Sequence, residues 1–162
     1  IVTAELGAED FGWFDAQRRR YFPPERNVLT AHLTMFHALP PSAEEEARRL
    51  LARLAAEQAP AAKVAGLMNL GRGVAYRILS PELEKVRGTI REHFTGMLTA
   101  QDAQGWRPHI TIMNKAEPSA ARQVLQQLET EFKPRPLIVS GLALHRYLGG
   151  PWERLGTWKF RG

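Results

Sequence analysis

The chain has 162 residues, 44% of them hydrophobic and 24% charged, a balance that fits a single globular domain. It has no cysteine, which excludes disulfides and thiolate metal sites, and no apolar run of membrane-spanning length. The net charge of +5 suits an anionic partner, a phosphate ester or RNA. The arginines of the helical stretches (Arg18, Arg19, Arg20, Arg48, Arg49, Arg53) read as a solvated charged face. Residues 1–6 are too few and too polar for a secretory signal, so the expected location is cytoplasmic.

Residues 1–6 read as a strand. A helix over 10–21 follows, with Phe11, Phe14 and Tyr21 on one face, and Pro23-Pro24 stops it because proline lacks the amide donor. A β-prone run over 28–39 carries His32-Leu33-Thr34-Met35. Ser42, with Glu45 three residues on, reads as a capping box, and Ala47, Leu50, Leu51 and Leu54 keep the spacing of a helix with one buried face. Strands over 64–70 and 74–79 flank Gly71-Arg72-Gly73. Ser80-Pro81 is a cap and first-turn proline, and Leu83, Val86, Ile90, Phe94 and Met97 mark a helical stripe. A second β run over 106–114 carries His109-Ile110-Thr111-Ile112. A helix over 118–132 turns Val124, Leu125, Leu128 and Phe132 inward, and a hairpin over 137–160 turns at Gly149-Gly150-Pro151.

The two His-x-Thr phrases are offset by 77 residues, from 32 to 109, and their surroundings repeat as well. Pro41-Ser42-Ala43 returns as Pro118-Ser119-Ala120, and Val64-Ala65-Gly66-Leu67 as Val139-Ser140-Gly141-Leu142. We read an internal duplication: one domain over 1–162 made of two pseudo-repeat lobes, about 1–79 and 80–162.

Side chains alternate along a strand, so His32 shares a face with Thr34, and His109 with Thr111. A pseudo-two-fold axis would bring both polar pairs to one cleft. A neutral imidazole takes a proton, a protonated one gives it, and histidine's ordinary pKa near 6.5 lets two copies hold opposite states. The hydroxyls suit the non-bridging oxygens of a phosphate. This chemistry calls for no cofactor or metal, and two histidines with no adjoining carboxylate make an incomplete zinc set.

Around this core, Lys115 falls on the face of His109, and Arg72 sits in a tight glycine turn. Phe36 falls on the face of His32, and Tyr76, Tyr147 and Trp152 lie on hairpin strands that border the cleft, where a base could stack. Trp106 reads as a mouth residue or a core anchor. Of the other histidines, His145 is the one that strand parity can turn toward the cleft.

The tandem His32-Leu33-Thr34-Met35 and His109-Ile110-Thr111-Ile112, the second introduced by Pro108, resembles the 2H phosphoesterase superfamily in its bacterial 2′-5′ RNA ligase-like branch. The resemblance implies an α+β fold, bilobal and duplicated, with two antiparallel sheets flanking a central cleft and helices on the outer faces. It implies metal-independent opening of a 2′,3′-cyclic phosphate, on an RNA terminus or a cyclic nucleotide, to a 2′-phosphate. By carry-over, His32 and His109 are the catalytic acid–base pair, in an order left open, and Thr34 and Thr111 hold the phosphate. Lys115, Arg72, Tyr76, Tyr147 and Phe36 are the expected substrate-binding residues. Family members often carry an arginine shortly after the second motif, where this chain has Asn114-Lys115. Rival expectations are a non-catalytic RNA- or nucleotide-binding module on the same fold, or ligation by the same groups run backwards. No membrane or protein partner is expected.

Overall fold

The structure is a computed structural model and describes residues 1–161. Its strands are β1 (Val2–Leu6), β2 (Leu33–Phe36), β3 (Ala61–Asn69), β4 (Val74–Leu79), β5 (His109–Met113), β6 (Arg135–Tyr147) and β7 (Trp152–Lys159). Its helices are α1 (Ala8–Tyr21), α2 (Glu44–Ala55), α3 (Pro81–His93), α4 (Ala100–Ala103) and α5 (Pro118–Glu131). No helix among the described residues is long and apolar enough to cross a membrane.

All pairings between these strands are antiparallel. The strands run β2-β1-β6-β3-β4-β5, with β7 on β6. The long β6 belongs to both ends: its first residues, 135–138, pair with β3, and its later ones pair with β1 and β7. The result is the expected α+β fold, two antiparallel sheets sharing a strand. The two halves of the sequence interleave in these sheets. β3, from the first half of the sequence, sits between β4 and β6, while β6, from the second half, pairs with β1. The β3–β4 hairpin of the first half pairs with β5 of the second, and the β6–β7 hairpin of the second half pairs with β1 of the first, so a cut at 79/80 does not separate the sheets.

Each sheet has an apolar and a polar face. Val2, Ala4, Leu33, Met35, Leu142 and Leu144 are buried in the core that Leu50 and Leu51 of α2 also join. Burying each such leucine contributes roughly 1.5–3 kcal/mol. On the second sheet Ile110, Ile112 and Tyr76 turn inward, and the Tyr76 ring meets Trp13, Phe14 and Phe132 at 5.4, 5.5 and 6.3 Å between centroids. Ser80 caps α3 as expected, accepting from the Leu83 amide at 3.0 Å. Ser42 does not cap α2; it lies inside a 3₁₀ turn over Pro41–Ala43, and the helix begins at Glu44. Met97 falls beyond the end of α3 and is exposed. The short α4 has no apolar repeat and was not anticipated.

β2 and β5 are the two ends of the strand path, yet their Cα atoms approach within 8 Å. Side chains satisfy the outer carbonyls that lack a strand partner. Trp106 Nε1 donates to Thr34 O at 3.1 Å, Arg87 Nε to Met35 O at 3.2 Å, and Arg18 Nη1 to Thr111 O at 3.1 Å. Asp102, only 1% exposed, accepts from the amides of His37 and Ala38 and holds the far end of β2 to α4. These tethers bring the two His-x-Thr strands edge to edge.

Candidate active site

His32 and His109 stand at the beginnings of β2 and β5, and both are partly buried, as are Thr34 and Thr111. Each imidazole is anchored the same way. His32 Nδ1 lies 2.7 Å from the Thr30 carbonyl, and His109 Nδ1 lies 2.8 Å from the Arg107 carbonyl. A carbonyl only accepts, so Nδ1 carries the proton in both rings and Nε2 is left free. In the neutral ring that Nε2 is a base; in the charged ring it is a donor. The approach to His32 is fixed in turn by Asp15, whose Oδ1 accepts from the Ala31 amide at 3.0 Å.

The two histidines do not share one environment. The His32 ring packs against Trp152 at 4.7 Å, and Trp152 also packs against His145 at 5.3 Å. Burial pushes the His32 imidazole down to about 4; the Thr30 carbonyl opposes this, and Arg18, His109 and His37 reinforce it. His145, whose Nε2 lies 2.9 Å from Thr3 Oγ1, is also held at about 4, by burial and by the charge of Arg154.

His32 separates two cavities. One, of about 310 Å³, also reaches Thr111 and is lined by Arg18, Arg26 and Lys115 with no carboxylate. The other, of about 290 Å³, lies against β1, with Thr3, Glu5, Phe11, His145 and Arg154 on its walls. Trp152 borders both.

Among the expected binding residues, Lys115 and the exposed Tyr147 line the first cavity. Three expectations are corrected. Phe36 is 0% exposed, under the Arg87 guanidinium at 4.6 Å, because a register shift opposite Val2 and Thr3 turns it into the core. Tyr76 is opposite Ile110 rather than His109, so it faces the helices, and its hydroxyl donates to Gln17 Oε1 at 2.8 Å. Arg72 turns its Nε to the Ala116 carbonyl at 3.0 Å, while its own carbonyl accepts from the Ala116 amide. It clamps the corner that carries Lys115. Trp106 proves to be an anchor.

Arg18 was missed, being read as part of a solvated face; it is 3% exposed and lines the cationic cavity. The signal was available, since Arg18 is one helical turn beyond Phe14 on the same face. Glu5 and Thr3 were also missed, because a lone strand at the start of a sequence does not reveal its partner.

A sequence model described as the 2′-5′ RNA ligase superfamily matches residues 7–151. No curated protein sequence gives a significant match. Solved structures with the same fold include TT0787 of Thermus thermophilus, at TM-score 0.66 and 19% identity, covering 99% of this chain and 97% of that one. They also include E. coli LigT complexed with NADP+, at TM-score 0.58 and 19% identity over 98% of this chain and 95% of that one. LigT complexed with 3′-AMP aligns at TM-score 0.55 and 18% identity over 99% and 96%. With the duplicated His-x-Thr strands set edge to edge and a family match over most of its length, the chain belongs to the 2′-5′ RNA ligase superfamily of 2H phosphoesterases.

Proposed function

We propose that this protein is a phosphodiesterase that opens 2′,3′-cyclic phosphates on a nucleotide or an RNA end, with His32 and His109 as its acid–base pair. The observation that carries this reading is the matched anchoring of both Nδ1 atoms by a carbonyl two residues back, which leaves two free Nε2 atoms on facing strand edges. Acid–base help of this kind contributes roughly 10²–10⁴-fold. His32, held neutral by burial, suits the base: its Nε2 takes a proton from water as the water oxygen bonds to phosphorus. His109 Nε2 gives a proton to the 3′ oxygen as its bond to phosphorus breaks, and a 2′-phosphate remains. Thr34 and Thr111 donate to the non-bridging oxygens, and Lys115 and Arg18 add positive field. The nucleotide complexes of LigT, with 3′-AMP and with NADP+, agree with a nucleotide ligand.

The test is turnover of the four nucleoside 2′,3′-cyclic monophosphates and of a short oligonucleotide with a 2′,3′-cyclic end, with EDTA present. The expected result is a 2′-phosphate product, with rates reduced at least about 100-fold in His32→Ala and in His109→Ala. Full activity in either variant, or activity abolished by the chelator, would overturn the mechanism.

A further inference from the structure

The two cavities that meet at His32 differ in charge as the two ends of a nucleotide do. The one that reaches Thr111 has Arg18, Arg26 and Lys115 on its walls and no carboxylate, so it suits phosphate oxygens. In the cavity against β1 the single arginine, Arg154, is engaged: its Nη1 is paired with Glu5 Oε1 and also donates to Thr157 Oγ1 at 2.6 Å. Thr3 and His145 satisfy one another. Beside Thr30 and His32, its walls carry apolar surface: the indole of Trp152, the ring of Phe11, 37% exposed, and Val28, 59% exposed. Exposed aromatic and aliphatic surface around a charge-balanced pocket fits a flat neutral ring.

One acceptor in that cavity is left over. Among the described residues nothing donates to Glu5 Oε2. The strand register places this carboxylate beside the chemistry. Thr3 is opposite Thr34 and Ala4 opposite Leu33, and Glu5, on the same face of β1 as Thr3, lines this cavity together with His32. A carboxylate oxygen can accept two hydrogen bonds and cannot donate. Guanine offers it two adjacent donors, N1–H and the N2 amino group. Uracil offers a single N–H flanked by two carbonyl oxygens, which the carboxylate repels.

We infer that the cavity between β1 and Trp152 holds the nucleobase of the substrate, and that Glu5 selects guanine over uracil there. This rests on the phosphodiester reading of the His32 and His109 pair and names the base that site takes.

The experiment measures binding of guanosine 2′-monophosphate and uridine 2′-monophosphate by titration calorimetry, using the full chain as wild type, Glu5→Gln and Trp152→Leu. Circular dichroism checks that each variant is folded. The wild type binds the guanosine nucleotide at least about tenfold more tightly. In Glu5→Gln that ratio falls to near one, because the amide offers a donor where the carboxylate offered an acceptor. Trp152→Leu weakens both nucleotides and leaves the ratio in place. Equal affinities in the wild type, no binding of either nucleotide, an unchanged ratio in Glu5→Gln, or unchanged affinities in Trp152→Leu would each overturn the inference. Turnover of guanosine and uridine 2′,3′-cyclic monophosphates is followed in parallel. Preference without turnover would fail the phosphodiesterase reading alone, and turnover without preference would fail the base pocket alone.

Discussion

A histidine that titrates near 4 is a weak base, but at neutral pH it is almost wholly in the form that can accept a proton. Burial under Trp152 lowers the His32 value, so protonation of His32 is what removes the base as the solution is acidified. The acidic limb of kcat/KM is therefore expected near pH 4 rather than near 6.5. Admitting water beside the ring by Trp152→Ala should move that limb toward 6.5, so the rate at about pH 5.5 falls relative to the rate at about pH 8. A pH profile of kcat/KM for both proteins checks this, and a limb that stays put in the variant would separate Trp152 from the titration. At this scale the four motif side chains were legible because period-two alternation is local. Phe36 and Tyr76 were not, since their faces depend on a register shift against β1 and on which neighbour β4 pairs with, and neither is recorded in the residues themselves.

Among the elements, the turn between β3 and β4 does more than reverse the chain. Gly73 presses so closely on the end of β5 that a Cβ there would lie 1.9 Å from the Met113 carbonyl oxygen. Arg72 then clamps Ala116 from both sides, and between these contacts Lys115 is held at φ 58, a left-handed backbone that a lysine adopts at a cost of about 1–2 kcal/mol. Strain held at a residue that lines the cationic cavity is consistent with a binding role. Lys115→Gly is expected to raise Tm by about 1–4 °C by relieving that backbone, and to weaken a nucleotide 2′-phosphate several-fold by removing the charge. Calorimetry of the free and liganded variant reads both effects, and a lower Tm would show that the lysine is not strained there. The glycines of this turn were readable in the sequence. That its arginine would serve the neighbouring strand's corner instead of the ligand was not, because the contact spans 44 residues.

On the scale of the whole molecule, the exchange of hairpins between the two halves decides how the fold comes apart. The repeat offset of 77 residues disclosed two copies but not that β3 and β6 trade sheets, since a repeat specifies likeness and not partners. With β6 paired to both β1 and β3, neither sheet can lose its strands without exposing the other's apolar face. Unfolding is therefore expected to be one cooperative transition. Native-state hydrogen exchange gives the sharpest check, because β1 and β4 are inner strands of opposite sheets. Their amides should converge on one global opening free energy as urea is raised. If β4 opened through its own lower-energy unit with β1 still protected, the sheets would be separable, and the approach of β2 to β5 would have to rest on the Trp106, Arg87 and Arg18 tethers alone.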